Sequence, residues 1–376
     1  MTKQKKFKQT EIGEIPKEWE VVRLGKILTL EYGKGLSERE RKAGMYPVVG
    51  SNGIVGYHEE ALVKGPGIVI GRKGTIGAVS WINSDFWPID TTYYINTLIK
   101  DIELKWLFFV LNHLNLPKLS LADVVPGLKR ELVHVLKLPL PPLPEQKKIA
   151  KILSTVDEAI EKVDETIEKT ERLKKGLMHE LLTKGIGYKE FKETEIGRIP
   201  KEWEVVRLGK ILTLEYGKGL SERERKAGMY PVVGSNGIVG YHEEALVKGP
   251  GIVIGRKGTI GAVSWINSDF WPIDTTYYIN TLIKDIELKW LFFVLNHLNL
   301  PKLSLADVVP GLKRELVHVL KLPLPPLPEQ KKIAEILSTG DRRLEMLKEK
   351  KGKFERIKKG LMNDLLTGRK RVKLET

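Results

Sequence analysis

Basic side chains recur in short, glycine-bounded polar runs: Lys34, then Arg39, Arg41 and Lys42, then Arg72 and Lys73, then Lys129 and Arg130. The chain repeats itself 184 residues on, so the same set returns as Lys218, Arg223, Arg225, Lys226, Arg256, Lys257, Lys313 and Arg314. Asn52 and its copy Asn236 sit in Ser-Asn-Gly turns between β-forming runs. Lysine meets a phosphate as a point charge, whereas arginine and asparagine can reach base edges through two hydrogen bonds. Arg39, Arg41, Asn52 and Arg72 are therefore the expected base readers, and Lys34, Lys42, Lys73 and Lys129 the expected phosphate contacts. A net charge of +15 agrees with a polyanionic partner.

Catalytic patterns are weak. Gly71-Arg-Lys-Gly-Thr75 lacks the spacing of a phosphate-binding P-loop, and no dinucleotide fingerprint fits. Asp90, Glu103 and Lys105 are close in type to the two acids and a lysine of metal-dependent nucleases, but Ile89 breaks the expected Pro-Asp pair and Glu103 opens a helix. The seven histidines show no ligand spacing, so no metal site is expected. The chain lacks cysteine, which excludes disulfides and thiolate metal sites. The basic start of the chain has no apolar core, so it does not read as a signal peptide. No apolar run approaches the roughly 18 residues of a membrane span, and the expected compartment is the cytoplasm.

The elements that position these residues follow from pattern. Ile15–Ala150 and Ile199–Ala334 are identical, so two copies of one module must bind the same thing. Within a module, β-forming runs are read at Trp19–Leu24, Tyr46–Glu59, Ile68–Ile70, Ile76–Trp81, Phe86–Ile99 and Leu132–Leu138. Residues 33–44 read as a loop, Arg72–Thr75 as a hairpin tip and Asp101–Asn112 as a helix. The fold class is α+β: two repeated modules joined and separated by two long antiparallel, coiled-coil helices in a pseudo-twofold, circular arrangement. The expected divisions are a module over 1–143, a helix over 144–183, a module over 184–327, a helix over 328–367 and a tail over 368–376.

Each helix begins at a proline run. Pro139, Pro141 and Pro142 form a stiff extended entry that fits neither sheet nor helix, and Pro144 suits the first helical position. Ile149, Leu153, Val156, Ile160, Val163, Ile167 and Thr170 then alternate steps of four and three, a heptad seam. Leu173, Leu177 and Leu181 continue it. The second seam runs through Ile333, Leu337, Gly340, Leu344, Leu347, Lys351, Phe354, Ile357, Leu361 and Leu365. Glu145–Thr183 would extend roughly 60 Å. The two seams are expected to face each other within one molecule, large side chains against small, as Val156 answers Gly340 and Thr170 answers Phe354. Intermolecular coiled coils are the alternative.

The proline-to-helix joint LPLPPLPEQKKIAKIL occurs twice, each time after a module holding GSNGIVG, GRKGTIGAV and WPIDTTYY. In this order the chain resembles the specificity subunit of type I restriction-modification enzymes over nearly its whole length. The resemblance implies a noncatalytic reader of double-stranded DNA. It also implies two methyltransferase subunits as partners, which use S-adenosylmethionine to methylate adenine N6, and nuclease subunits in the restriction complex. No cofactor is implied for this chain itself. Members usually carry two different recognition domains, whereas here they are identical. Twofold-related identical readers are expected to recognise a palindromic bipartite site. A scaffold that binds methyltransferases but barely touches DNA, and a standalone nuclease, are the alternatives.

Overall fold

The structure is a computed structural model and describes residues 7–120, 127–304 and 311–374. The first six and last two residues, which open the predicted basic N-terminal stretch and close the predicted tail, lie outside these. The chain divides into two compact units. The first comprises residues 1–164 and 349–376, the second residues 165–348, so each holds one module and part of each long helix.

In the first unit, β1 (Phe7–Thr10) and β2 (Gly13–Pro16) form a hairpin. After β3 (Glu20–Arg23) comes β4 (Leu28–Tyr32), then β5 (Tyr46–Gly50) and β6 (Gly53–His58), paired through the Ser51-Asn52 turn. β7 (Gly67–Gly71) and β8 (Val79–Ile82) form the next hairpin, followed by β9 (Trp87–Pro88) and β10 (Thr92–Thr97). The order β4-β10-β7-β8 makes an antiparallel sheet, and β6-β5-β9 a second, mixed one. Helix α1 (Leu104–His113) buries Trp106, Leu107, Phe109, Val110 and Leu111 against the larger sheet. A short helix, α2 (Arg130–His134), leads to β11 (Lys137–Leu140), which pairs with β3. The long helix α3 (Leu143–Thr183) follows.

Five expectations are corrected. The run Phe86–Ile99 is two strands, because Thr92 returns its amide and hydroxyl to Ile89 O and turns the chain. β9 then pairs parallel with β5, and β10 lies antiparallel between β4 and β7. The run Ile76–Trp81 becomes strand only at Val79, since Gly74 and Gly77 adopt left-handed φ values of 73° and 74° that suit a turn. The run Leu132–Leu138 begins as helix: one turn buries Val133 completely, and burial outweighs the β propensity of its neighbours. Pro139 does sit in a strand. It pairs with Val21 in a two-stranded ladder, where edge positions tolerate a missing donor. The helix also starts at Leu143, one residue before Pro144.

The second unit repeats these elements, with its long helix at Leu327–Leu365. In each unit the two long-helix stretches run antiparallel. In the first, Lys358 pairs with Asp157 at 2.6 Å and Lys351 with Asp164 at 2.8 Å, numbers rising on one helix as they fall on the other. In the second, Lys348 meets Glu171 at 2.9 Å and Lys174 meets Asp341. Of the expected seam, Ile149 and Leu153 join the first module's core, and Leu337 the second's. Val163, Ile167, Leu344 and Leu347 are buried on the helices. Val156, Ile160, Phe354 and Leu361 are half-buried. Leu173, Leu177 and Ile357 are exposed, which corrects their seam assignment. The large-against-small pairing is also corrected: an antiparallel pair does not place corresponding positions opposite each other, and Gly340 faces Lys174.

Candidate nucleic-acid interface

The basic residues are brought together by backbone hydrogen bonds between loops. At the β7–β8 tip, the amides of Arg72 and Lys73 both donate to Thr91 O, at 2.9 and 3.1 Å. Arg72 O accepts from Leu128 N at 2.9 Å, so the segment before α2 is tied to the same tip. Lys34 N donates to Pro88 O at 2.9 Å, and Lys34 O accepts from Trp87 Nε1. Gly33 permits this approach, because a Cβ there would lie 2.1 Å from Ile89 O. Ser51 rests against Gly71 and Gly74, which puts the Asn52 turn beside the same tip. Lys34, Asn52, Arg72, Lys73, Lys129 and Arg130 are thus carried on converging loops, with Lys34, Asn52, Lys73 and Lys129 exposed. Loops on a rigid β scaffold are where recognition is usually built.

Tyr32 organises the cluster. Its ring is 51% exposed, and the guanidinium carbons of Arg72 and Arg130 both lie 5.3 Å from its centroid. Arg72 donates from Nε and Nη2 to Asp90 O, at 3.1 and 2.7 Å. Arg130 donates from Nε to Glu131 at 3.2 Å. Tyr93 packs 5.1 Å from Tyr32 and donates to Leu128 O at 2.9 Å. Burial, and then its hydrogen bond with Tyr32, push the Tyr93 hydroxyl up to about 12. The second unit reproduces the set. Arg256 reaches Asp274 O at 3.1 and 2.6 Å, and Arg256 and Arg314 lie 5.3 and 5.2 Å from Tyr216. Lys218, Asn236, Lys257 and Lys313 are exposed there.

Three predicted residues lie farther along the loop that carries Lys34. Arg39 is exposed on a single turn at Glu38–Glu40. Arg41 ties that loop to β6, donating from Nη1 to Val55 O at 2.8 Å, and Lys42 pairs with Glu59 at 2.5 Å. Arg223, Arg225 and Lys226 repeat these placements, with Arg225 on Val239 O and Lys226 on Glu243. Arg41 and Arg225 therefore brace backbone.

Sequence reasoning missed Tyr32. Leu28 and Leu30 point into the core, and the period-two pattern assigns Tyr32 to the same face. The strand ends there, and the ring emerges beside the loops. An aromatic directly before Gly-Lys was the available signal.

The nuclease-like trio is not assembled. Asp90 sits at the turn beside Arg72. Glu103 caps α1, accepting from Lys105 N at 3.4 Å, and Lys105 Nζ lies 4.1 Å from the Trp81 ring centroid, where burial lowers its pKa. Among the described residues no group of three or more acidic or histidine side chains could hold a metal ion. Nor is any described helix long and apolar enough to cross a membrane.

Comparison with known proteins agrees with this geometry. The family model described as "Type I restriction modification DNA specificity domain" matches residues 16–172 and again 200–356. The MjaVIII type I restriction enzyme specificity subunit of Methanocaldococcus jannaschii is 29% identical, the alignment covering 99% of this chain and 97% of the relative. A putative MjaX specificity subunit of the same organism is 31% identical over 99% and 98%. Among solved structures, a type I restriction-modification S subunit from M. genitalium superposes with a TM-score of 0.71 at 19% identity, covering 96% of this chain and 98% of that one. With the family domain matched twice, once per basic loop cluster, this chain belongs to the type I restriction-modification DNA specificity subunits.

Proposed function

We propose that the chain reads a bipartite, palindromic DNA site, each module taking the same half-site. It contributes no catalysis of its own and works with chromosomal DNA in the cytoplasm. Two methyltransferase subunits, which use S-adenosylmethionine to methylate adenine N6, engage it, and nuclease subunits join where a host supplies them. The observation that carries this reading is the repetition of one cluster, with Tyr32, Arg72 and Arg130 matched by Tyr216, Arg256 and Arg314 at nearly equal distances. Each copy precedes one long helix, and within each unit the two helix stretches run antiparallel. On this reading the identical readers take half-sites in inverted orientation, about one DNA turn or roughly 34 Å apart, as symmetric dimers do. Sequencing of methylated genomic DNA after coexpression with a cognate methyltransferase subunit tests it. Two identical inverted half-sites separated by unspecified bases are expected. An asymmetric or direct-repeat motif overturns the palindrome.

A further inference from the structure

We propose that Arg72 and Arg130, held on Tyr32, read the major-groove edge of a guanine in each half-site, with Arg256 and Arg314 on Tyr216 doing so in the second copy. This rests on the DNA-reading function above and names what the cluster reads.

Three observations carry it. First, the Nε side of both guanidiniums is committed, Arg72 to Asp90 O and Arg130 to Glu131. Arg72 keeps Nη1 and the second N–H of Nη2, and Arg130 keeps both terminal nitrogens, so each presents a pair of N–H groups that matches O6 and N7 of guanine. Second, both guanidiniums lie 5.3 Å from one tyrosine ring, so their planes are restrained before DNA arrives. Less rotamer freedom is then lost on binding. Third, carboxylates stand within the cluster. Glu131 is bonded to Arg130, and the Asp90 carboxylate lies near Gly35. A phosphate cradle would be opposed by these charges. A base edge carries no net charge, and an acid can accept from the cytosine amino group opposite guanine. The exposed lysines 34 and 73 are left to contact the phosphates.

Tyr32 is a positioning residue, and its ring, not its hydroxyl, holds the arginines. The probe is a duplex oligonucleotide bearing the methylated motif, compared with duplexes in which each guanine is replaced singly. Arg72→Lys with Arg256→Lys keeps the charge and loses the fork. It is expected to erase about 5- to 150-fold of discrimination at one symmetric guanine position while leaving nonspecific binding and its salt dependence unchanged. Tyr32→Leu with Tyr216→Leu should relax the same position, and Tyr32→Phe with Tyr216→Phe should restore it. A thermal melt of each variant separates misfolding from lost reading. The proposal is overturned if the half-site contains no guanine, if the lysine variant weakens all duplexes equally, or if the leucine variant retains full discrimination. Binding to no duplex at all would instead remove the DNA-reading function itself.

Discussion

The two copies of the module share one carboxylate at the start of the long helix, buried as Glu145 and half-buried as Glu329, and satisfy it in different ways. In the first unit Glu145 is held by Arg371, from the segment after the second long helix, and by Trp19 Nε1 at 3.3 Å. Arg371 also reaches Glu18 at 2.9 Å. In the second unit Glu329 accepts from Tyr188 Oη at 2.7 Å, Ile186 N at 2.9 Å and Trp203 Nε1 at 2.9 Å. Tyr188 comes from the segment after the first long helix. Both cores are completed in the same manner, by Leu365 and Leu366 in one and Leu181 and Leu182 in the other. The identical modules are therefore sockets, and the two segments that fill them have diverged. Position 187 is Gly where 371 is Arg, and position 188 is Tyr where 372 is Val. A charged latch and a neutral latch close the same socket, because a carboxylate withdrawn from water needs donors and not one particular donor.

The largest break in this comparison is expected from Arg371→Ala. It leaves Glu145 buried without its cation and should destabilise the first unit by about 1–3 kcal/mol, at the modest end because Arg371 is partly solvated. The second unit should not respond. Limited proteolysis under increasing urea measures this, read on peptides that hold Glu14 or Arg198, whose masses distinguish the copies. Equal loss in both units would mean that the latches are not separate devices. Tyr188→Phe should act only on the second unit and by less, about 1 kcal/mol, because Glu329 keeps two other donors. An effect larger than that of Arg371→Ala would reverse the ranking of the two latches.

The smallest expected effect is one of pH. His297 is held below the usual histidine range by burial and then by His179, whose ring lies 5.7 Å away. His113, its counterpart, is lowered by burial alone and has Asn363 where the second unit has His179. The cavity lined by His179 and His297 also gathers Lys184, Arg198 and Lys321, whereas its counterpart holds Lys137 and Arg369 together with Glu14. A histidine with a lowered folded pKa takes up more protons when unfolded. Its contribution is full above about 6.5 and is lost as pH falls through 6.5 toward the folded value. The second unit should therefore weaken more than the first between pH 7.5 and 5.5. His179→Asn should narrow that gap in the same proteolysis assay, and an unchanged gap would exclude the histidine pair as its source.

Much of the fold was legible. The exact repeat, the two long helices with their proline entries, and the glycine-bounded basic loops all follow from local pattern. Pattern failed where a partner from far along the chain decided the outcome. Leu132–Leu138 reads as strand until Val133 is buried by a helical turn. Leu173 and Ile357 continue an apolar stripe, yet they are 62% and 50% exposed. Arg41 and Arg72 look alike in sequence, both arginines in polar loops. One braces β6 through Val55 O, and the other, bonded to Asp90 O, stands beside the exposed Tyr32.

The sequence alone determined that one module is used twice, that each use ends in a long amphipathic helix, and that positive charge gathers in loops. These are properties of composition, spacing and propensity, which act over a few turns of chain. Only the tertiary structure decided which arginines stand on an exposed tyrosine, where a β run turns aside, and which distant segment neutralises Glu145 or Glu329. Those outcomes depend on donors and buried area from separate segments, more than a hundred residues apart for Glu145 and Glu329, and local pattern does not encode which segments meet.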